Sequence, residues 1–248
     1  MTKLVIKTAG EIKTMAEGGR KLGQIRDKIA RAVRVGVTPT ELDELADKLI
    51  TEVGGRASFK MVPGYKWATC INVNDVVVHG IPGKDRIKKG DKVGIDVGMY
   101  YKGWHTDTSV TMGGPPRFLE VGRLALSRAI EQARPGKRVA DLSAAMQETV
   151  EEAGFSVVRA LTGHGVGREL HEEPAIPCFK FGKYEYSPKL VPGMVLAIEI
   201  MYNEGKFGVR YKNDDGWTIA TADGKISGLF EETVAVTANG PVILTQAK

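Results

Sequence analysis

Four acids in apolar runs and three histidines beside glycine-rich or apolar segments are the residues of this chain best placed to do chemistry. Asp96 lies in Val93-Gly-Ile-Asp-Val-Gly98, which reads as a buried strand, and Asp107 ends Gly103-Trp-His-Thr-Asp107, eleven positions later. Tyr101-Lys102-Gly103 reads as the turn between two strands. With the loop centred on Tyr101-Lys102, residues whose numbers sum to 203 face each other, as Asp96 and Asp107 do. A bulge at Gly103 would shift that register by one. Like charges opposite one another on a sheet repel, and a buried carboxylate without a partner is costly. A divalent cation between the two turns the repulsion into attraction.

The second half adds further candidates. Met194-Val-Leu-Ala-Ile-Glu-Ile-Met201 is an apolar strand carrying Glu199, and Leu229-Phe-Glu-Glu-Thr-Val-Ala-Val236 carries Glu231 and Glu232. Strand alternation puts Glu231 and Glu232 on opposite faces, and the residues alone do not choose between them. Thr162-Gly-His-Gly-Val-Gly167 and Leu170-His171-Glu172 supply His164 and His171, and glycines there let backbone approach a site closely. His79 stands at the end of another apolar segment. Hard oxygen ligands with one imidazole suit Mn, Fe, Co or Zn, and shared carboxylates suit a two-metal hydrolytic site.

The elements that must position these residues come in two similar sets. Apolar positions Ile12, Met15, Leu22, Ile25, Ile29 and Val33 predict a helix over Glu11 to Arg34, weakened by Gly18-Gly19. Thr38-Pro39-Thr40-Glu41 opens a second helix as N-cap, first residue and capping-box partner. Its predicted stripe is Leu42, Leu45, Leu49 and Val53, and Gly54-Gly55 ends it. Strands follow to about residue 114, where Pro115-Pro116 breaks the chain. Helices over Phe118 to Ala133 and Val139 to Ala153 and further strands repeat the plan. Gly36, Leu42 and Gly54 recur as Gly136, Leu142 and Gly154 at one offset of 100. Gly90, six before Asp96, is echoed by Gly193, six before Glu199, and His79-Gly-Ile-Pro82 by His171-Glu-Glu-Pro174. The expectation is one α+β catalytic domain over residues 1–248, built of related halves at about 11–114 and 118–240, with Asp96 and Glu199 at matching points.

At 248 residues, 42% hydrophobic and 26% charged, the composition is that of an ordinary globular protein. No apolar run approaches the ~20 residues that span a bilayer, and Met1–Lys7 lacks a signal peptide's apolar core. Cys70 and Cys178 form no metal-spaced pair, so a reduced cytoplasmic setting is expected. The net charge of +5 and pI of about 9.1 come from dispersed basic residues without a nucleic-acid motif. DNA and membrane partners are not expected.

The segments His79-Gly-Ile-Pro82, Ile95-Asp-Val-Gly98, His105-Thr-Asp107, Gly163-His-Gly-Val-Gly167, His171-Glu-Glu-Pro174, Ile198-Glu199 and Glu231-Glu-Thr-Val234 together resemble type I methionine aminopeptidase, in order and spacing over nearly the whole chain. The resemblance implies the pita-bread fold, two pseudo-symmetric halves around a dinuclear metal centre. It implies Asp96, Asp107, His164, Glu199 and Glu231 as ligands of two divalent ions (Co, Mn, Fe or Zn), with Asp107 and Glu231 shared between them. It also selects Glu231 over Glu232. His79 and His171 match catalytic histidines that are not ligands. Tyr65, Cys70 and Trp217 match the pocket for the methionine side chain, where a soft thioether suits an apolar aromatic lining.

The reaction so implied is hydrolysis of the first peptide bond of nascent polypeptides, with a small residue after methionine. Water activated by the cations attacks, Glu199 shuttles the proton, His171 donates to the developing oxyanion and His79 contacts the scissile amide. A monomer, with transient ribosome contact, is the default. Ile200 replaces the family's usual proline, which leaves a displacement of Glu199 open, and Phe59, Val62, Pro63 and Leu170 depart from the usual pocket wall. The short spacing from His164 to Glu199 and the lack of a long N-terminal extension favour a bacterial-like or organelle-like type I enzyme. Two other readings are an X-Pro aminopeptidase of the same fold and a non-catalytic pita-bread protein that binds nucleic acid or ribosomes.

Overall fold

The computed structural model describes residues 4–247. The signal-peptide reading of Met1–Lys7 therefore rests partly on residues 1–3, outside the described residues. Helix α1 (Ala9–Ala32) begins two residues earlier than predicted because Thr8 and Glu11 form a capping box. Helix α2 (Pro39–Glu52) has the predicted box from Thr38 and Glu41. Its buried face is Leu42, Asp43, Ala46 and Ile50; of the predicted stripe Leu42 is buried, Leu49 and Val53 pack partly buried against the same core, and Leu45 lies outside it. Asp43 draws that face inward, accepting hydrogen bonds from the amides of Ala68 and Thr69 and from the Thr69 hydroxyl. Strands β1 (Arg56–Ala57), β2 (Thr69–Val73), β3 (Val76–Val78), β4 (Val93–Tyr101) and β5 (Trp104–Met112) complete the first half.

The second half runs through α3 (Pro116–Gln132), α4 (Val139–Glu152), β6 (Ser156–Val157), β7 (Thr162–Gly165), β8 (Glu172–Pro177) and β9 (Val195–Asn203). Then follow β10 (Val209–Tyr211), β11 (Ile219–Thr221), β12 (Ser227–Thr237) and β13 (Gly240–Ile243). The offset of 100 is visible in detail: α2 and α4, and β1 and β6, start and stop at matching numbers. Gly36 and Gly136, and Gly54 and Gly154, all have positive φ, as turns that need no side chain require. Ala57 pairs with Met99 and Val157 with Tyr202, which advances the strand partner by 103, the separation of Asp96 and Glu199.

The main sheet runs β1-β4-β5-β12-β9-β7-β8. Its strands obey period two. Val93, Ile95, Val97 and Met99 of β4 pack against α1 and α2, and Leu196, Ile198, Ile200 and Tyr202 of β9 pack against α3 and α4. Asp96 and Glu199 therefore point to the other face.

Gly18 and Gly19 do not mark a weak point in α1. A Cβ on Gly19 would sit 2.5 Å from the Leu244 carbonyl oxygen, and one on Gly23 would sit 1.9 Å from that of Thr245. The C-terminal segment crosses the helix at these glycines. Gly23→Ala is expected to lower unfolding free energy by about 1–3 kcal/mol through overpacking, read as a lower midpoint in urea. An unchanged midpoint would mean that the segment lifts off freely.

Candidate metal centre

The β4–β5 hairpin turns at Lys102 (φ 49°) and Gly103 (φ 88°), so Tyr101 pairs with Trp104. Register thus differs by two from the expected one. Asp96 faces Ser109, Asp107 faces Gly98, and the two acids are diagonal rather than opposite. A shift of two preserves the face, so both acids still serve one site.

Two adjacent rows cross the sheet. In the first, Asp96 on β4 faces Ser109 on β5, Ser109 faces Glu231 on β12, and Glu231 faces Glu199 on β9. The second begins with Asp107 on β5. Its amide donates to the Thr233 hydroxyl at 2.9 Å, and that hydroxyl donates to the Asp107 carbonyl at 2.7 Å. Thr233 faces Ala197, which faces His164 on β7. Thr233 is a positioning residue the sequence reading missed; its place two after Glu231, on the same strand face, is the signal that could have found it.

Asp107, His164 and Glu231 are buried, and each brings a ligand atom within 4.8 Å of the other two. The His164 Nδ1–H donates to the Gly165 carbonyl at 2.9 Å, which leaves the Nε2 lone pair free to bind a metal. Asp96 has one buried carboxylate oxygen without a hydrogen-bond partner. Glu232 points the other way, to Arg26 of α1 at 2.8 Å and to Thr108 and Thr245. Glu231 alone of the pair joins the cluster.

The charges confirm how poorly water could serve these acids. Burial, then the neighbouring carboxylates, push Asp96 and Glu231 far above the usual range. Burial lifts Asp107 to about 7, against a hydrogen bond from the Thr108 amide. Burial and then the Asp107 charge lift Glu199 to about 8. Burial, helped by His171, drops His164 to about 3, so its ring is neutral. An orphaned oxygen, a lone pair held outward and four acids reluctant to ionise are the chemistry of a donor set for divalent cations.

A pH dependence follows. A carboxylate with a raised folded pKa holds its proton in the folded state while the unfolded chain has already lost its own. Without metal, stability therefore falls as pH rises from about 4, the unfolded value, through about 7 for Asp107 and towards about 8 for Glu199. Added divalent metal should restore it most strongly at the alkaline end. Melting of chelated protein from pH 5 to 8.5, with and without Mn²⁺, checks this; a melting temperature that rises with pH in chelated protein contradicts it.

A cavity of about 720 Å³ opens over the cluster. Asp96, Asp107, His164, Glu199 and Glu231 line it together with His79, His171, Tyr65, Cys70 and Trp217, so every predicted site residue is brought to one place. The rings of His164 and His171 meet edge to face at 4.4 Å. His171 is open to the cavity yet desolvated enough for its pKa to fall below the ordinary imidazole value. His79 has a left-handed φ of 56°, and burial followed by His171 lowers its pKa.

One end of the cavity is apolar: Phe59, Tyr65, Cys70 and Leu170 are buried together, with Val62, Ile81 and Trp217 against them. Tyr65 meets Trp217 edge-on at 5.1 Å, and its hydroxyl donates to the Thr69 carbonyl at 2.8 Å. Cys70 faces Asp96 across β2 and β4, which puts this pocket beside the carboxylates. Val5, Leu161, Thr162, Ala175 and Met201 also line the cavity, unforeseen because nothing in their type announces a site. The fourth histidine, His105, stays apart, its Nδ1 2.8 Å from the Ser58 hydroxyl. Ile200 is fully buried, and the β9–β12 ladder runs through it unbroken from Asn203 to Val195. Glu199 pairs with Glu231 within that ladder.

Metallopeptidase family M24 matches residues 13–237. The chain is 42% identical to a methionine aminopeptidase of Clostridium perfringens over 99% of this chain and 100% of that relative. It is 39% identical to methionine aminopeptidase 1 of Bacillus subtilis, over 98% of this chain and 99% of the relative. Among solved structures, the methionine aminopeptidase of Thermotoga maritima superposes with a TM-score of 0.93 at 40% identity, covering 98% of this chain and 100% of the other. A prolidase of Pyrococcus horikoshii shares the fold alone, with a TM-score of 0.77 at 23% identity over 98% of this chain and 64% of its own.

Proposed function

We propose, from the premise that this chain belongs to metallopeptidase family M24 and to its bacterial type I methionine aminopeptidase branch, that Asp96, Asp107, His164, Glu199 and Glu231 are the ligands of its metal centre. The enzyme has the pita-bread fold, is a divalent-metal hydrolase and removes the N-terminal methionine of nascent polypeptides. One observation carries the site assignment: the two adjacent rows of strand register that gather these five side chains on one face.

Two ions, of Co, Mn, Fe or Zn, would suit a set of four carboxylates and one imidazole, and Asp96, Asp107, His164, Glu199 and Glu231 would hold them. When bound, such cations polarise the scissile carbonyl and let a water lose its proton near neutral pH. Glu199 can take a proton and pass it to the leaving amine. His171, neutral and open to the cavity, donates an N–H to the oxygen on which charge develops. His79 contacts the amide being cleaved. The methionine side chain fills the apolar end formed by Tyr65, Cys70, Trp217, Phe59, Val62 and Leu170, and the second residue is small.

The working unit is one catalytic domain made of the halves at about 11–114 and 118–240, acting as a cytoplasmic monomer with transient contact to the ribosome. No helix among the described residues is long and apolar enough to cross a membrane. Assays of Met-Gly-Met, Met-Ala-Ser, Met-Leu-Ser and Xaa-Pro peptides test specificity. Cleavage confined to methionine before Gly or Ala is expected. Preferred cleavage of Xaa-Pro bonds would reassign the pocket, and so would equal rates for Met-Leu-Ser.

A further inference from the structure

Lys92, the residue before β4, is 1% exposed. It makes no ion pair among the described residues. Its ammonium donates instead to two backbone carbonyls, Asn72 at 3.0 Å and Val76 at 3.1 Å. Asp75, whose charge acts on it, is engaged by Lys212 at 2.6 Å. A buried ammonium without a carboxylate costs stability, and what it holds is the junction between β2 and β3.

That junction leads to His79. β3 does not continue the ladder of β2; it pairs with β11 in a second sheet. The two strands are linked by other means. Lys92 clasps the turn with its backbone, donating to the Asn74 side chain at 3.0 Å and accepting from the Asn74 amide at 2.9 Å. Its ammonium joins the Asn72 carbonyl on β2 to the Val76 carbonyl on β3. Four residues later, the Gly80 amide donates to the Asn72 side-chain oxygen at 2.9 Å, and the Ile71 amide donates to the Gly80 carbonyl at 2.9 Å. The segment from Val76 to Gly80 is thus tied to Asn72 at both ends. His79 lies between the ties with φ 56°, a conformation a non-glycine residue keeps only where its surroundings impose it.

We propose that Lys92 is a positioning residue for the hydrolysis: its ammonium, working through Asn72 and the β2–β3 junction, sets where the His79 side chain stands in the cavity. This rests on the reading that His79 contacts the scissile amide. Of the metal ligands only Asp96 shares a ladder with β2; Asp107, Glu231, Glu199 and His164 stand on β5, β12, β9 and β7, which pair with one another and not with β2.

The test is steady-state kinetics on Met-Ala-Ser with metal-loaded Lys92→Met, Asn72→Ala and His79→Ala, and with Lys92→Met and Asn72→Ala each combined with His79→Ala. Lys92→Met should lower kcat by about 10- to 100-fold, the effect of a small misplacement of an acting group. KM and bound metal should stay within about twofold. In the His79→Ala background, neither Lys92→Met nor Asn72→Ala should lower the rate further, because the group they position is gone. Should Lys92→Met fail to fold, Asn72→Ala carries the same comparison. Losses of equal factor in both backgrounds, or loss of metal in Lys92→Met, would overturn the proposal. A wild-type rate in His79→Ala would overturn the role of His79 itself, and this inference with it.

Discussion

Asp107→Asn and Glu231→Gln are each expected to abolish measurable hydrolysis, a fall of at least about a thousandfold in kcat/KM, or about 4 kcal/mol of transition-state stabilisation. Both residues sit at the centre of the cluster: with His164 they form the group whose ligand atoms lie within 4.8 Å of one another. The amide variants keep shape and hydrogen-bonding capacity but lose the charge that draws a cation. Asp96→Asn should behave alike, since its unpartnered buried oxygen has no structural bond to lose. The fold should survive in all three. Burial and mutual repulsion already penalise ionisation of these acids in metal-free protein, so a neutral amide relieves strain instead of adding it. Glu232→Gln is the contrast: it faces Arg26 and should keep bound metal and lose some stability. Rates on Met-Ala-Ser, metal content and melting curves check the set. Full activity in Asp107→Asn or Glu231→Gln would rule out the metal assignment.

His171→Ala should lower kcat by about 10²–10³-fold, the usual loss when one donor to an oxyanion is removed, while bound metal stays near the wild-type level. The ring lines the cavity, 4.4 Å from that of His164, and comes from the loop before β8 instead of either row of strand register. Because its pKa lies below the ordinary value, the neutral ring carries the N–H across the neutral range. Metal lost in parallel with activity would instead make His171 a ligand.

Much of this site was legible because the sheet enforces period two. Asp96, Glu199 and Glu231 each interrupt an apolar run, and a charged residue in such a run points away from the helices or is satisfied by one. The internal repeat was equally plain: the helix starts, the positive-φ glycines and the partners of the short strands recur at fixed offsets. What remained hidden depended on tertiary partners. Whether the turn fell at Tyr101-Lys102 or Lys102-Gly103 changed the register by two, and only the positive φ of Lys102 decides it. Glu231 and Glu232 are alike in sequence; Arg26, some two hundred positions away, separates them. The buried face of α2 is turned from the predicted stripe towards Asp43, whose partners lie at the start of β2, so Leu42 stays buried while Leu45 does not. Gly18-Gly19 reads as a helix defect until Tyr101 is seen against Gly18 and the C-terminal segment against Gly19.

The central claim is that five side chains, distant in sequence, hold the divalent cations on which cleavage depends. It is tested most directly by titrating chelated protein with Mn²⁺ while both bound metal and release of methionine from Met-Ala-Ser are followed. Silence without metal is predicted, with activity returning as up to two ions bind per chain and no return in Asp107→Asn. Methionine release by metal-free protein, or a folded, metal-filled enzyme that never trims its peptide, would contradict it.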